Sequence, residues 1–202
     1  MSPTTVRNIV SLGIEEIVPS PLNPRRHSHA QLTEAQLRPL GESLARGGQW
    51  ELITVRPHRT EAGRYELVNG ERRWRAAQLV GVKSLEARVE DFNDAQALDM
   101  MLATGGQDEP LSPIALAYGY AERMALEGLT QAALAERLGV DHREITRHVA
   151  LLDLPDELMT AVDDGAVDMR VGYIVATLPG KEAREAFAKE VELDMHNELK
   201  TP

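Results

Sequence analysis

The 202-residue sequence has no cysteine, which excludes a disulfide scaffold, thiolate chemistry and any Cys-based zinc site. It has no apolar run approaching a membrane span. Its start, MSPTTVRNIVSLGIEE, lacks the basic-then-apolar order of a signal peptide, so the cytoplasm is the expected location. There is no internal repeat and no low-complexity tract. The six histidines show no metal-ligand spacing apart from His27 with His29, a loop pair expected to be solvated. Positive charge is scarce too: 22 Lys and Arg stand against 32 Asp and Glu, for a net charge of -10. A chain that holds nucleic acid by bulk charge is therefore not expected.

What is present is an ordinary folding composition, 43% hydrophobic and 27% charged, long enough for one or two domains. The charge is unevenly spread. Residues 1–90 carry 13 basic and 10 acidic side chains, whereas 91–202 carry 9 and 22. Such asymmetry points to two regions with different tasks.

The first region alternates strand-like and helix-like patterns. Residues 14–18 (IEEIV) read as a short strand, and 19–29 (PSPLNPRRHSH) as a Pro-rich loop. Residues 33–48 read as a helix with capping-box spacing at Thr33 and Gln36, a stop at Gly47-Gly48, and a start or kink displaced by Pro39. Residues 52–58 and 64–69 are β-rich, 85–90 is a further strand, and 94–102 a helix. The segment 104–113 (TGGQDEPLSP) reads as a boundary. Beyond it every segment reads as helix: 113–128, 130–139, 141–154, 156–165, 168–178 and 181–193. The expected fold is α+β with a small sheet, followed by an all-α helix-turn-helix domain. The expected divisions are residues 1–103, 104–178 and a C-terminal helix or tail at 179–202.

Two stretches carry chemistry. In 68–82 (LVNGERRWRAAQLVG), Arg72, Arg73 and Arg75 fall in the first turn of a helix, where the macrodipole disfavours cations. They are either a solvated basic face with Glu71 as counter-ion, or part of a cradle for a polyanion completed by backbone N–H groups, with Arg25 and Arg26 closing it. In 129–152 (LTQAALAERLGVDHREITRHVALL) the layout is a helix-turn-helix. Ala133, Leu134 and Leu138 would line the inner face of its first helix. Ile145, Val149 and Leu152 would line that of the second. His142, Arg143, Thr146 and Arg147 then face outward near the start of the second helix, where base-reading side chains sit. Thr130 and Gln131 open the first helix, where N–H groups can meet a phosphate. The alternative is a plain helical hairpin. From Asp108 to Leu178 there are 13 acidic and 5 basic residues, so nonspecific DNA affinity is expected to be weak and salt-sensitive.

Three stretches together, PSPLNPRR, VNGERRWRAA and LTQAALAERLGVDHREITRHVALLDLP, resemble the ParB family of chromosome and plasmid partition proteins, in order and spacing, over residues 10–178. The resemblance implies a CTP- and magnesium-binding N-terminal domain. It also implies a homodimer that binds a centromere-like palindrome on double-stranded DNA and closes as a sliding clamp, with a ParA-type ATPase as a further partner and no membrane. Carried over, Gly70, Glu71, Arg72 and Arg73 hold the triphosphate, Arg25 approaches it, and Gln107 is what remains of a third nucleotide box. Trp74 becomes a packing residue, and Ala76 and Ala77 permit close helix contact. The chain also departs from the pattern. Asn23 stands where a glutamine linked to CTP hydrolysis is usual, so at most a slow CTPase is expected. Thr104, Gly105, Gly106, Gln107 and Asp108 replace a Glu-Asn-x-Gln-Arg box, removing the groups that serve magnesium. Ala150, Asp153 and the stretch RVGY (170–173) thin out the positive DNA contacts. Weakened or lost nucleotide switching is expected. A point-binding transcriptional regulator with a vestigial nucleotide site is the alternative. A terminal-helix stripe at Ala183, Phe187 and Val191 suits either a partner or its own domain.

Overall fold

The computed structural model describes residues 8–28, 32–104 and 110–198. The chain divides into two units. One comprises residues 1–23 and 31–105, and the other residues 24–30 and 106–202.

The first unit is built on a five-stranded sheet: β1 (Asn8–Gly13), β2 (Ile17–Pro19), β3 (Ile53–Pro57), β4 (Tyr65–Asn69) and β5 (Ser84–Val89), in the order β1-β5-β3-β4-β2. β1 runs antiparallel to β5, with Val10 opposite Ala87 and Leu12 opposite Leu85. β3 is parallel to β5 and antiparallel to β4, and β2 is parallel to β4. The alternation in β5 buries Leu85 and Ala87, as period-two patterning requires. β3 lies at the centre and has four consecutive buried residues, Ile53 to Arg56. Helices α1 (Glu34–Gly47), α2 (Glu71–Val80) and α3 (Asp94–Thr104) complete the unit.

Leu12, Ile17, Ile53, Val55, Leu67, Trp74, Ala77, Leu85 and Ala87 form one core. Trp74 is a packing residue, buried with its indole N–H donating to the Ile14 carbonyl at 3.4 Å. Ala76 and Ala77 are fully buried. α1 and α2 approach closely because residue 41 is glycine: a Cβ there would lie 2.7 Å from the Ala76 carbonyl oxygen. Arg56 of β3 and Glu66 of β4 form a buried ion pair: Arg56 donates to Glu66 Oε2 at 2.6 and 2.9 Å and to Asp94 at 2.8 Å, and the Ser20 hydroxyl donates to the same Glu66 oxygen at 3.3 Å.

Three expectations for this unit are corrected. Residues 14–16 form a single 3-10 turn ahead of β2, not a strand; the Gly13 N–H donates to the Glu16 carboxylate at 2.5 Å and bends the chain there. Residues 8–13 are a strand that the sequence reading passed over. Pro39 neither delays nor ends α1, which starts at Glu34 after the Thr33–Gln36 capping box. The lost Pro39 N–H bond falls early in the helix, and packing on α2 holds the rest.

The second unit is helical: α4 (Pro113–Glu127), α5 (Gln131–Leu138), α6 (His142–Ala150), α7 (Asp156–Asp163), α8 (Met169–Ala176) and α9 (Lys181–Glu198). Its core gathers Ile114, Leu151, Leu154, Leu158, Val162, Val167, Val175 and Ala188. α6 ends at Ala150 and passes into a 3-10 turn, Leu151–Asp153, before Pro155. The Pro-rich loop is divided between units. Asn23 belongs to the first, while the 3-10 turn Pro24–His27 belongs to the second. There His27 stacks on Tyr118 with ring centroids 4.0 Å apart, so it is not a solvated loop residue. Arg26 pairs with Glu122 at 2.9 Å, and Ser28 donates to the buried Asp163, which also accepts from Ser112. His29 and the segment 105–109 lie outside the described residues.

Candidate nucleotide and nucleic-acid interfaces

The first candidate is the β4–α2 junction. β4 ends at Asn69, and Gly70 reverses the chain with φ +99°, a conformation that disfavours any side chain. A Cβ at Gly70 would also lie 2.6 Å from Ile53 Cγ2. Both constraints demand glycine, and they leave the N-cap of α2 with no side-chain cap over its first-turn amides. Glu71, Arg72 and Arg73 stand half-buried on that turn. Asn23 donates its amide to Glu71 at 2.6 Å, and Arg75 pairs with Glu71 at 2.5 Å. Arg73 is paired with Glu51 from the loop before β3.

Glu51 is the residue that sequence reasoning missed. It lies 22 positions from Arg73, in a stretch with no periodicity to flag it. Gln49 holds that stretch in place: its amide N–H donates to the carbonyls of Glu51 and Glu86, both at 2.8 Å, and its side-chain oxygen accepts from the Glu86 N–H at 2.7 Å. Arg25 belongs to the second unit, and Gln107 lies outside the described residues. Asn23, Glu71, Arg72 and Arg73 are therefore gathered within one unit. Among the described residues no three His, Asp or Glu side chains are placed to hold a metal ion.

The second candidate is the α5–α6 pair. Thr130 caps α5, its hydroxyl accepting from Ala133 N at 3.2 Å, and Gly139 closes it with φ +69°. Asp141 caps α6, accepting from Arg143 N at 2.7 Å. Leu134, Ala135, Ile145 and His148 are buried against the body of the unit. Ala133, Leu138, Val149 and Leu152 are only half-buried. The inner face of α6 thus follows Ile145 and His148, an i,i+3 pair on one side of the helix, and continues into Leu151 of the 3-10 turn that follows. His148 Nδ1 lies 2.8 Å from the Glu144 carbonyl, and its ring meets Tyr120 edge-on. Tyr120 donates to the Glu144 carboxylate at 3.0 Å; burial, then that carboxylate, pushes the phenol pKa far above its usual range.

His142, Arg143 and Arg147 are exposed on the opposite face. Thr146 is half-buried and donates to Gln131 at 2.8 Å, bridging the two helices. The expected outward set is thus brought together, with Thr146 and Gln131 facing each other as well as solvent.

A helix-turn-helix unit accompanied by a small mixed-sheet unit with a glycine-capped cationic helix defines the class. Residues 2–105 match the ParB N-terminal domain and residues 109–197 match the ParB HTH domain. The chain belongs to the ParB family. A nucleoid occlusion protein of Bacillus pumilus is 32% identical over 188 residues, covering 93% of this chain and 63% of its own length. The chromosome-partitioning protein Spo0J of Thermus thermophilus is 35% identical over 165 residues, 82% of this chain and 58% of its own length. The chain thus spans about three fifths of the length of these curated relatives. Among solved structures, the C-terminally truncated chromosome-partitioning protein ParB from Caulobacter crescentus complexed to the centromeric parS site has 26% identity. It covers 93% of this chain and 99% of that one, with a TM-score of 0.58. The same protein complexed with CTP-gamma-S has 29% identity, covers 91% and 98%, and gives a TM-score of 0.45. Among the described residues of the present chain no helix is long and apolar enough to cross a membrane.

Proposed function

We propose that this chain is the nucleotide- and DNA-binding part of a ParB-type partition protein that recognises a palindrome on double-stranded DNA as a homodimer. The observation that carries the reading is the outer face of α6, where His142, Arg143 and Arg147 are exposed while Ile145 and His148 anchor the helix. Arginine forks suit guanine edges and phosphates, and the helix N-terminus adds its own N–H groups. Thr130 and Gln131 at the start of α5 complete the backbone contact. The relative bound to a centromeric site supports DNA as the ligand.

CTP is the proposed ligand of the α2 junction. Gly70 opens the first turn, Arg72 and Arg73 meet the phosphates, and Glu71 is held in place by Asn23 and Arg75. Bound there, the nucleotide would supply the charge that draws these side chains together. Magnesium would accompany it on the phosphates. Arg25 and Gln107 are proposed to join from the segments that carry them. Clamp closure driven by CTP is the finer proposal, with turnover slow or absent because Asn23 already donates to Glu71. The proposed divisions remain residues 1–103, 104–178 and 179–202, the last serving dimerisation or its own unit. A ParA-type ATPase would engage the N-terminal tail, whose first seven residues lie outside the described set.

A second reading, a point-binding regulator with a vestigial nucleotide site, is favoured by one observation: Arg73 is already paired with an internal carboxylate. The deciding experiment is recovery of genomic DNA on the purified protein, with and without CTP and magnesium, read by sequencing. A discrete palindrome whose flanks fill only with CTP supports the clamp. The same sharp peak in both conditions supports the point binder. No discrete peak overturns both.

A further inference from the structure

An anion already rests on the first turn of α2, and it belongs to the protein. The Glu51 carboxylate is paired with Arg73. Arg73 is 12% exposed and fixed on a helix, whereas Glu51 is 70% exposed at the end of a loop. We infer that Glu51 is an internal competitor for the phosphate position at Arg73, so that a nucleotide binds only by lifting the 48–52 segment away. The inference rests on the proposed nucleotide reading and deepens it.

A carboxylate and a phosphate are alternative acceptors for the same guanidinium N–H groups. Glu51 is the exposed partner, so its carboxylate can leave at small cost, while Arg73 stays where the ligand needs it. A Glu51 that did not leave would face a polyanion at short range, which is repulsive. The contact is therefore opposed by phosphates on Arg73, and nucleotide and carboxylate compete for that guanidinium. The segment is positioned rather than loose: Gln49 grips both the Glu51 carbonyl and the backbone of β5 at Glu86. Gln49 thus acts as a positioning residue for the competitor. Trp50, between the two, is 89% exposed and rides on the same segment. That placement gives the segment its own optical signal, since Trp74 is buried in the core.

The test titrates wild-type protein, Glu51→Gln, Gln49→Ala and Arg73→Ala with CTP and magnesium, and separately with inorganic tripolyphosphate, which carries the charge without the base. Glu51→Gln is expected to bind both probes roughly fivefold tighter than wild type. Gln49→Ala should fall between the two, and Arg73→Ala should lose both. Tryptophan emission of the wild type should change on binding, and the change should vanish in Trp50→Phe. Binding by Glu51→Gln where wild type binds nothing would support the competitor most strongly. Equal affinity of Glu51→Gln and wild type, with Arg73→Ala inactive, would overturn the competitor and leave the nucleotide site standing. Unaltered Trp50 emission on saturation would also overturn it. No binding of either probe to any variant would overturn both.

Discussion

Thr146 on α6 donates its hydroxyl to the Gln131 side chain on α5 at 2.8 Å, joining the two helices of the helix-turn-helix across their open face. The same hydroxyl lies 3.1 Å from the His142 carbonyl. Two side chains suited to DNA therefore also brace each other. Thr146→Val, which keeps the shape and removes the hydroxyl, should destabilise the helical unit by about 1 kcal/mol. A urea melt followed by far-ultraviolet circular dichroism measures this. An unchanged midpoint would mean that water replaces the bond without loss.

Replacing both Arg143 and Arg147 with alanine should abolish site-specific DNA binding and leave the melt unchanged. Each arginine that forks onto a base is worth about 1–3 kcal/mol of discrimination. Fluorescence anisotropy on the recovered palindrome reads the loss. Retained affinity would remove the α6 face from the interface.

Arg73→Ala should eliminate CTP binding while the helical unit stays folded, because Arg73 belongs to the other unit. Calorimetry with CTP and magnesium checks the first half, and the helical unit's melt checks the second. Wild-type CTP affinity in this variant would place the phosphates elsewhere.

The buried pair in the first unit should be costly to break. Arg56→Met leaves Glu66 in the interior without its guanidinium, a change that costs about 3–5 kcal/mol. The first unit should then melt well below wild type in a thermal scan. A shift of only a degree or two would mean that the pair contributes little to the stability of the unit.

His27 gives the helical unit a pH dependence. Burial lowers its pKa, and neighbouring Arg26 lowers it further, against a smaller opposing pull from Glu122. Arg26 Nε donates to His27 Nε2 at 2.9 Å, which requires the neutral ring. A histidine depressed in the folded state contributes stability that is fully present above its unfolded value of 6.5 and is lost as pH falls through the folded value. The melting temperature of the helical unit should therefore drop on acidification below about pH 6.5. His27→Phe, which keeps the stack on Tyr118, should flatten that slope. An equal slope in both proteins would assign it to other groups.

Much of this fold was legible because its ends are marked locally. Thr33, Thr130 and Asp141 each cap the helix that the sequence assigns to them, and Gly70, Gly128 and Gly139 adopt the positive φ that their positions ask for. What stayed hidden depends on partners far along the chain. β1 is a strand because β5, more than seventy residues later, pairs with it. His148 is buried beside Tyr120 of α4, whose ring it meets edge-on. The candidate sites follow the same division. Gly70, Arg72 and Arg73 stand out as a cluster in sequence, whereas Glu51 and Gln49 acquire meaning only when the loop before β3 folds onto α2 and β5.

Neither unit is encoded by one continuous stretch. The chain leaves the first unit after Asn23, contributes Pro24 to His27 to the second, and returns before α1. A gene cut near codon 104 would strip the helical half of the His27 ring against Tyr118 and of the Arg26 partner of Glu122. Chimeras assembled from the halves of two relatives would inherit that mismatch in every molecule. Recombination between such genes is therefore expected to succeed only when the short Pro-rich segment travels with the helices it serves, although some eighty codons separate them.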